Sequence, residues 1–298
     1  MAEQPFVIEP PGDLAAATAL AVRAARQWAL PEPVLIRVGM NALYSAGDDV
    51  VIRVGRPTSD PMGALRLARS LAASGIRTPR YVRDEPMTAG GLAAMAIASE
   101  PHVGAIDWVE VGAMVARLHS LDFAEIVTFY PVPRSSTFPW WQFDRLLAEV
   151  DDLLDGSSRA GIIGALHRHQ PSLHSDSAPP VLCHGDVHPG NVLATNDGPM
   201  LIDWDLLCSG PRGWDHGPLM TWTERWGGAP GIYARFAEGY GASMRDDPVA
   251  EAVAELRLVA ATLMRLRAGR TDAKAAAEAE LRLRYWRGDA DAPAWHAA

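Results

Sequence analysis

The stretch from Val181 to Asp205, VLCHGDVHPGNVLATNDGPMLIDWD, constrains this chain more than any other part of its sequence. Val181–Cys183 is apolar and predicts a short buried strand, after which glycine and proline keep a polar loop open. Four polar residues stand out on the strand, the loop and a later hairpin: His184, Asp186, Asn191 and Asp203. A phosphoryl-transfer site needs such a set, because one carboxylate receives a hydroxyl proton while an amide and a second carboxylate hold magnesium.

The second half of this stretch predicts a β-hairpin. Val192–Thr195 and Pro199–Asp203 are the expected strands, and Asn196-Asp197-Gly198 between them is a strong turn signal. Such a hairpin is expected to bring Asn191, which precedes it, next to Asp203 at its end. Two oxygen ligands side by side suit Mg²⁺, which takes a few protein oxygens and completes its shell with substrate phosphate.

The order of these residues resembles the kinase catalytic loop, in which His-x-Asp is followed by an asparagine five residues after the aspartate and by a later metal aspartate. The form HGDVHPGNVL followed by LIDWD looks like the aminoglycoside phosphotransferase and choline kinase family rather than the protein kinases. This resemblance implies an α+β, two-lobed protein-kinase-like fold, with a small strand-rich first lobe and a larger, mostly helical second lobe. It also implies a small-molecule kinase, a phosphotransferase with an alcohol group as acceptor, that binds ATP or GTP and Mg²⁺ between its lobes.

The resemblance assigns a role to each matching residue. Asp186 is the expected catalytic base, Asn191 and Asp203 are the expected metal ligands, and His184 is the expected support of the loop. The later segment GPRGWDHG also resembles the family, whose aspartate at this place, here Asp215, anchors the catalytic loop.

The nucleotide side of the expected site departs from the kinase pattern. Kinases place a lysine on the third strand and hold it with a helix glutamate, but Lys274 is the only lysine of this chain. Arg53, in VVIRVGR, takes the equivalent place by strand order, and an arginine can hold phosphate with two donors. No acidic residue lies between Pro61 and Arg83. Arg53 is therefore expected either to pair with an acid from elsewhere or to wait for the nucleotide.

The phosphate-covering loop also lacks the G-x-G-x-x-G pattern. Backbone N–H groups in GMNALYSAG are the expected substitute, and the candidates are Gly39, Asn41 and Ser45. The resemblance places the adenine against the linker around Ser99–His102, where Pro101 has no N–H to donate. The candidates there are the backbones of Glu100 and His102.

The acceptor is the part of the site that the sequence determines least. Residues 100–205 carry 15 acidic and 5 basic side chains, an excess that can attract a cationic small molecule but also fits a solvated helix face. An aminoglycoside-like antibiotic or another cationic small molecule is one expected acceptor, with antibiotic resistance as the corresponding role. The candidate acceptor contacts are Asp144, Asp151, Trp204 and Asp205.

The composition narrows the class of protein. The net charge of −9 and the lack of a basic stripe argue against nucleic-acid binding. The first residues, MAEQPFVIEP, lack the pattern of a signal peptide, and no apolar run reaches the length of a bilayer. Two cysteines cannot frame a disulfide scaffold. We therefore expect a cytoplasmic protein whose partners are a nucleotide and a small-molecule hydroxyl acceptor, with no nucleic acid and no membrane.

Strand and helix signals divide the chain into three parts: a nucleotide-binding lobe at 1–99, a hinge linker at 100–104, and a catalytic and substrate-binding lobe at 105–298. The predicted strands are 34–38, 50–54, 81–82, 92–98, 181–183, 192–195 and 199–203. The predicted helices are 13–28, 61 to about 75, 107–119, 140–154, 248–269 and 272–288. Asp13, Asp60 and Asp247 are the expected caps at three of these helix starts, the last two directly before a proline. Between the first two strands, GMNALYSAGDD is expected to be a turn-bearing connection.

Two other functions stay open. A nucleotide-binding pseudokinase with a sensing or scaffolding role would explain the missing lysine and glutamate. A metal-dependent hydrolase would use His184, Asp186 and His188 as zinc ligands, but it leaves the hairpin and Asp203 without a role.

Overall fold

The computed structural model describes residues 14–173 and 179–296, and the chain divides into two compact units. The first unit comprises Met1–Asp107, Asp122–Val132 and Val192–Asp205, and the second comprises Trp108–Leu121, Pro133–Asn191 and Leu206–Ala298. The segment expected to form the hairpin thus belongs to the first unit. The boundaries of the three parts inferred from the sequence stay a prediction.

A five-stranded antiparallel sheet with the order β1-β2-β3-β5-β4 forms the centre of the first unit. Its strands are β1 (Val34–Val38), β2 (Ala42–Ser45), β3 (Val50–Gly55), β4 (Met87–Ala89) and β5 (Leu92–Ala98). β3 lies between β2 and β5, and its register pairs Arg53 with Leu43 on one side and Met95 on the other. A central strand of this kind fixes the backbone of Arg53 from both sides.

One helix covers a face of this sheet. α1 (Leu14–Gln27) buries an alanine-rich stripe, which shares a core cluster with the buried Tyr44 and Ile52 of β2 and β3. α2 (Pro61–Ala73) begins where Asp60 accepts a hydrogen bond from the backbone N–H of Met62 at 3.1 Å, the expected N-cap with proline at the first helical position.

Three segments of the first unit differ from the sequence prediction, and one of them is β4, which was not predicted. Ala42–Ser45, expected in a turn-bearing connection, is strand β2, because Ala42 and Tyr44 alternate into the core. Tyr81 makes only an isolated bridge to Ile97 instead of a strand. The expected cap at Asp13 lies outside the described residues.

The predicted hairpin is confirmed. β7 (Val192–Thr195) and β8 (Gly198–Leu201) pair antiparallel, with Thr195 opposite Gly198. The turn therefore contains only Asn196 and Asp197, and β8 ends two residues earlier than expected.

The second unit is mostly helical. Its helices are α3 (Trp108–Leu118), α4 (Phe143–Val150), α5 (Gly156–Leu173), α6 (Gly213–Met220), α7 (Trp222–Trp226), α8 (Ile232–Tyr240), α9 (Pro248–Ala268) and α10 (Ala273–Trp286). α9 is buried along most of its length, because α4, α5, α6 and α10 all pack against it. Its start at the Asp247 cap and its end before Gly269 agree with the prediction.

Several helices of the second unit differ from the prediction, and α6, α7 and α8 were not among the predicted helices. The expected helix at 140–154 is shorter, since single 3₁₀ turns at Pro139–Trp141 and Asp151–Leu153 flank α4. α5 was not predicted, because glycine, serine and Pro171 weaken its helical pattern. Among the described residues, no helix has both the length and the apolar character needed to cross a bilayer.

Candidate active site

The loop that carries Asp186 leaves the buried strand β6 (Val181–Cys183), which pairs with β9 (Cys208–Gly210). Gly185 makes the turn from β6 into this loop possible. Its φ is +94°, and a Cβ added there would lie 1.9 Å from the backbone oxygen of Leu206. Only glycine fits this combination of a left-handed backbone and close backbone approach.

Asp215, at the start of α6, anchors this loop through hydrogen bonds to its backbone. It is fully buried, and its two oxygens accept the backbone N–H groups of His184 and Gly185, each at 2.8 Å. The ring Nε2 of His119 lies 3.0 Å from the same carboxylate. Burial alone would raise the pKa of Asp215, but the hydrogen bond from His119 and those from the backbone hold it below its ordinary value.

The carboxylate of Asp186 is surrounded by donors within the second unit. Arg257 of α9 hydrogen-bonds to Oδ1, Asn191 donates from Nδ2 to Oδ2 at 3.2 Å, and the Nε2 atom of His188 lies 3.4 Å from Oδ2. Burial would raise the pKa of Asp186, but the interactions with His188 and Arg257 keep it well below its usual range. Asp186 is therefore a carboxylate held ionised and in a fixed orientation.

The amide of Asn191 is oriented by the same loop. Its Nδ2 donates both to the backbone oxygen of Asp186, at 3.0 Å, and to that residue's carboxylate. With Nδ2 engaged in this way, Oδ1 is the oxygen that can ligate a metal.

Asp203 follows β8 in the first unit and has a φ of +63°, the left-handed region that non-glycine residues rarely adopt. Its side chain is about half exposed. The next residue, Trp204, donates from its indole to the backbone oxygen of Leu201 at 3.2 Å. Backbone conformations of this rare kind cluster at functional sites, and this one occurs two residues after a hairpin strand.

Arg53 has an acidic partner, although the sequence offered none nearby. Its Nη2 lies 2.5 Å from Oδ2 of Asp205 and 3.9 Å from Oδ1 of Asp203. Burial by itself would lower the pKa of Arg53, but these two carboxylates raise it above its ordinary value. Of the two interpretations left open for Arg53, pairing with an acid from elsewhere is the one that the structure has. Asp205, expected as an acceptor contact, is therefore bonded to Arg53.

The remaining nucleotide candidates lie in two places of the first unit. The backbone N–H of Gly39 donates to Asn41 at 3.0 Å in the loop between β1 and β2, and Ser45 ends β2. Glu100 is half-buried, whereas His102 is exposed and its Nδ1 accepts the backbone N–H of Ala194 at 3.3 Å. Their roles in nucleotide binding stay a prediction.

The acidic helix region is largely neutralised by arginines of its own unit. Asp151 pairs with Arg159 at 2.8 Å, and Asp144 is exposed on α4. Further pairs join neighbouring acids to one arginine of α9 and to arginines in the turns after α9 and α10: Glu149–Arg267, Asp152–Arg270 and Asp155–Arg287. Most of the negative charge is thus compensated within the protein, and the roles of Asp144 and Asp151 toward an acceptor stay a prediction.

Two findings concern residues outside the motif. Arg257 was missed, because nothing in the sequence of α9 marks one arginine among several.

Among the described residues, the potential metal ligands that converge are His119, Cys183 and Asp215, not the set expected for a zinc hydrolase. His119 is already engaged there, since its ring nitrogens bond to Asp215 and to the hydroxyl of Tyr240.

Comparison with known families gives one match to the chain. The model of the phosphotransferase enzyme family matches residues 42–256, well over half of the chain. This range begins at strand β2, includes the motif around Asp186, and ends within α9, one residue before Arg257. No curated protein sequence matches the chain.

Solved structures resemble the whole fold at low sequence identity. The GDP and kanamycin complex of APH(2″)-IIia has a TM-score of 0.72 and 16% identity, over 93% of this chain and 100% of that one. Amicoumacin kinase hAmiN, in complex with AMP-PNP, Ca²⁺ and Ami, has a TM-score of 0.66 and 14% identity, over 93% and 96%. A choline/ethanolamine kinase family protein from Mesorhizobium loti has a TM-score of 0.66 and 16% identity, over 94% and 95%. The expected α+β protein-kinase-like fold is therefore confirmed.

Proposed function

Because the chain belongs to the phosphotransferase enzyme family, we propose that it transfers the γ-phosphoryl group of ATP or GTP to a hydroxyl group of a small molecule. The observation that carries this proposal is the orientation of Asp186. Its loop is held by Asp215, and its carboxylate is kept ionised by cationic and amide donors. A base that receives the proton of the acceptor hydroxyl must be an ionised carboxylate in a fixed position.

In the proposed reaction the acceptor hydroxyl donates a hydrogen bond to Asp186. The acceptor oxygen forms a bond to the γ-phosphorus while the bond from that phosphorus to its bridging oxygen breaks. The nucleoside diphosphate leaves with the bonding electron pair, and the hydroxyl proton passes to Asp186. Because little covalent chemistry is left to the protein, positioning and charge stabilisation provide most of the catalysis.

The residues fit a magnesium ion. Asn191 presents an amide oxygen and Asp203 a carboxylate, and hard oxygen donors of these kinds are what Mg²⁺ prefers. These two residues are the proposed ligands. Mg²⁺ neutralises charge on the phosphate oxygens when it is bound.

Arg53 is the proposed phosphate-binding cation of the first unit. It replaces the usual lysine, and Asp205 replaces the usual helix glutamate as its partner. The proposed backbone contacts of the nucleotide are Gly39, Asn41, Ser45, Glu100 and His102.

The proposed acceptor is an antibiotic or another cationic small molecule, with resistance as one physiological role. Two of the structural neighbours are complexes with kanamycin and with Ami, and a third is a choline/ethanolamine kinase family protein. The proposed contacts with the acceptor remain Asp144, Asp151, Trp204 and Asp205, the last of which also pairs with Arg53.

The test is release of ADP or GDP, measured by a coupled assay over a panel of aminoglycosides, peptide antibiotics, macrolides, sugars and amino alcohols. Asp186→Ala is expected to abolish transfer nearly completely and to spare nucleotide binding, whereas Asp203→Ala is expected to lose both transfer and Mg²⁺-dependent binding. Asp197→Ala, which changes an exposed aspartate in the nearby hairpin turn, is the matched control and should leave activity unchanged. Full activity of Asp186→Ala would refute the base assignment.

The second candidate is a nucleotide-binding pseudokinase. The observation that favours it is the lack of any lysine in residues 1–99. This candidate predicts Mg²⁺-dependent nucleotide binding without transfer to any member of the panel. Stoichiometric, tightly bound zinc in the purified protein would instead favour a hydrolase.

A further inference from the structure

Arg257 is the one arginine of α9 that bonds to the catalytic-loop aspartate. Its Nη2 donates to Oδ1 of Asp186, and its Nη1 donates to the backbone oxygen of Gly185 at 2.9 Å. One guanidinium therefore holds both the side chain and the backbone of the loop.

The other carboxylate oxygen is engaged from a different direction. Oδ2 of Asp186 receives the Nδ2 donor of Asn191 at 3.2 Å and faces Nε2 of His188 at 3.4 Å. The Nδ1 atom of His188 accepts the backbone N–H of Gly190 at 3.0 Å, so the proton of a neutral ring lies on Nε2, toward the carboxylate. Donors from three side chains thus fix the plane of the Asp186 carboxylate.

Arg257 is itself held in place before any substrate arrives. Its Cζ lies 5.0 Å from the ring centre of Trp140 and 5.8 Å from that of Trp214, and both indoles are almost fully buried. Only 14% of the arginine side chain is exposed. Cation–π contacts are stronger at a desolvated site of this kind than at an exposed one, and they restrict the rotation of the arginine side chain.

An ionised carboxylate offers about four acceptor positions. Arg257 and Asn191 hydrogen-bond to two of them and His188 faces a third from 3.4 Å, which leaves one for a substrate hydroxyl. The direction from which the hydroxyl can approach Asp186 is therefore set by the three donors, and the Arg257 contact is the only one of them on Oδ1.

We propose that Arg257 is a positioning residue for phosphoryl transfer: it locks the Asp186 carboxylate so that a single acceptor position faces the acceptor hydroxyl. This inference rests on the proposed function, because it assigns Asp186 as the base. Trp140 and Trp214 support the guanidinium, so the aromatic cluster beside the loop has a function beyond packing.

The test compares Arg257→Ala and Arg257→Lys with Arg267→Ala. Arg267 also lies on α9 and pairs with a carboxylate, Glu149 at 3.1 Å, and serves as the matched control. The measurements are kcat and KM for an acceptor found in the panel, the Kd of Mg·ATP, and the thermal unfolding midpoint of each variant.

Arg257→Ala is expected to lower kcat about 100-fold, which a misplacement of about 1 Å can cause, and to change the Kd of Mg·ATP and the acceptor KM less than twofold. Guanidinium ion added to this variant should restore at least about tenfold of the lost kcat, because it can occupy the vacated site between the indoles. Arg257→Lys keeps a charge that can reach Oδ1 but loses the second donor and the stacked plane of the guanidinium, so its kcat should fall about three- to tenfold. Arg267→Ala should match the wild type with or without guanidinium.

Three results would overturn the proposal: a kcat of Arg257→Ala within twofold of the wild type, a change confined to the acceptor KM, or a folded variant that guanidinium does not rescue. If Arg257→Ala does not fold, the same criteria apply to Arg257→Lys, with a kcat equal to wild type as the contrary result. A wild-type protein that transfers phosphate to no member of the panel refutes the proposed function itself. An active wild type with an equally active Arg257→Ala refutes only the positioning role.

Discussion

The guanidinium of Arg53 donates a hydrogen bond to the carboxylate of Asp205 at 2.5 Å, so the phosphate-binding candidate of the sheet is held by an acid 152 residues later in the chain. In the kinase pattern the partner of the cation is a helix glutamate. Here the partner is Asp205, which follows the metal-ligand candidate Asp203 by two residues. The pair joins β3 to the segment after β8, both within the first unit.

We expect Asp205→Asn to act on kcat more than on nucleotide affinity. The substitution removes a negative charge near the phosphates, which favours binding, but it also releases Arg53, which disfavours binding. These effects oppose each other, so the Kd of Mg·ATP should stay within about threefold. The loss of orientation should lower kcat at least about tenfold.

The matched control is Asp84→Asn, which breaks the exposed Arg69–Asp84 pair of the same unit, also at 2.5 Å. An exposed pair of this kind contributes about 0–1 kcal/mol, and its loss should leave kcat unchanged. Equal kcat values for the two variants would show that Asp205 does not position Arg53.

Gly185→Ala is expected to destabilise the protein by at least about 3 kcal/mol, since the new methyl group meets a backbone oxygen that cannot move aside. Gly241→Ala separates this contact from backbone strain. Gly241 has a similar φ of +87° but open space where its Cβ would stand, so its replacement should cost only about 1–2 kcal/mol. Urea unfolding of both variants measures the difference, and equal losses would contradict a steric origin.

Much of the proposed catalytic half of the site could be predicted from the sequence, because its residues lie close together in the chain. Strand β6, the hairpin and the glycine at 185 carry local signals that a reader can see. Asp60 and Asp247 are likewise local caps, and both helices start as expected.

The rest depends on tertiary contacts that leave no local pattern. Arg53 and Asp205 are far apart in the chain, and so are Arg257 and Asp186, 71 residues apart. The glycine and asparagine residues that border the four residues of β2 predict a connection, whereas Tyr44 packs into the core as part of a strand. Pairing across the sheet decided that segment, and local propensity did not.

The left-handed backbone of Asp203 predicts how stability and Mg²⁺ dependence respond to a neutral substitution there. Asp203→Asn should keep the free energy of unfolding within about 0.5 kcal/mol, because asparagine tolerates this region well. It should nevertheless raise the Mg²⁺ concentration for half-maximal nucleotide binding at least about tenfold, since the loss of even an outer-shell partner costs that much. Calorimetric titration of Mg²⁺ at fixed nucleotide concentration measures this shift.

Asp246→Asn controls for the conformation. Asp246 is exposed in the second unit and has a φ of +72°, so this substitution tests the effect of asparagine in a left-handed position away from the proposed metal ligands. Its Mg²⁺ dependence should equal that of the wild type. An unchanged Mg²⁺ dependence in Asp203→Asn would remove Asp203 from the ligand set.

His216 predicts how stability depends on pH. The side chain is fully buried, and its Nδ1 lies 3.2 Å from the hydroxyl of Tyr233. Burial, assisted by the nearby His119, lowers the pKa of His216 from 6.5 to about 4, and the charge of Asp215 opposes this shift. Between these two pH values the unfolded chain binds a proton that the folded protein does not, so the free energy of unfolding rises with pH across this window.

At about 1.4 kcal/mol per pH unit, the full contribution is on the order of 3 kcal/mol, lost as the pH falls from 6.5 to 4. His216→Phe fills a similar volume and cannot take up a proton, so its stability should vary much less over this range. His167→Phe, at an exposed position of α5, should keep the wild-type slope. Urea unfolding at intervals from pH 4 to pH 7 gives the three slopes, and a wild-type slope in His216→Phe would assign the pH dependence to other groups.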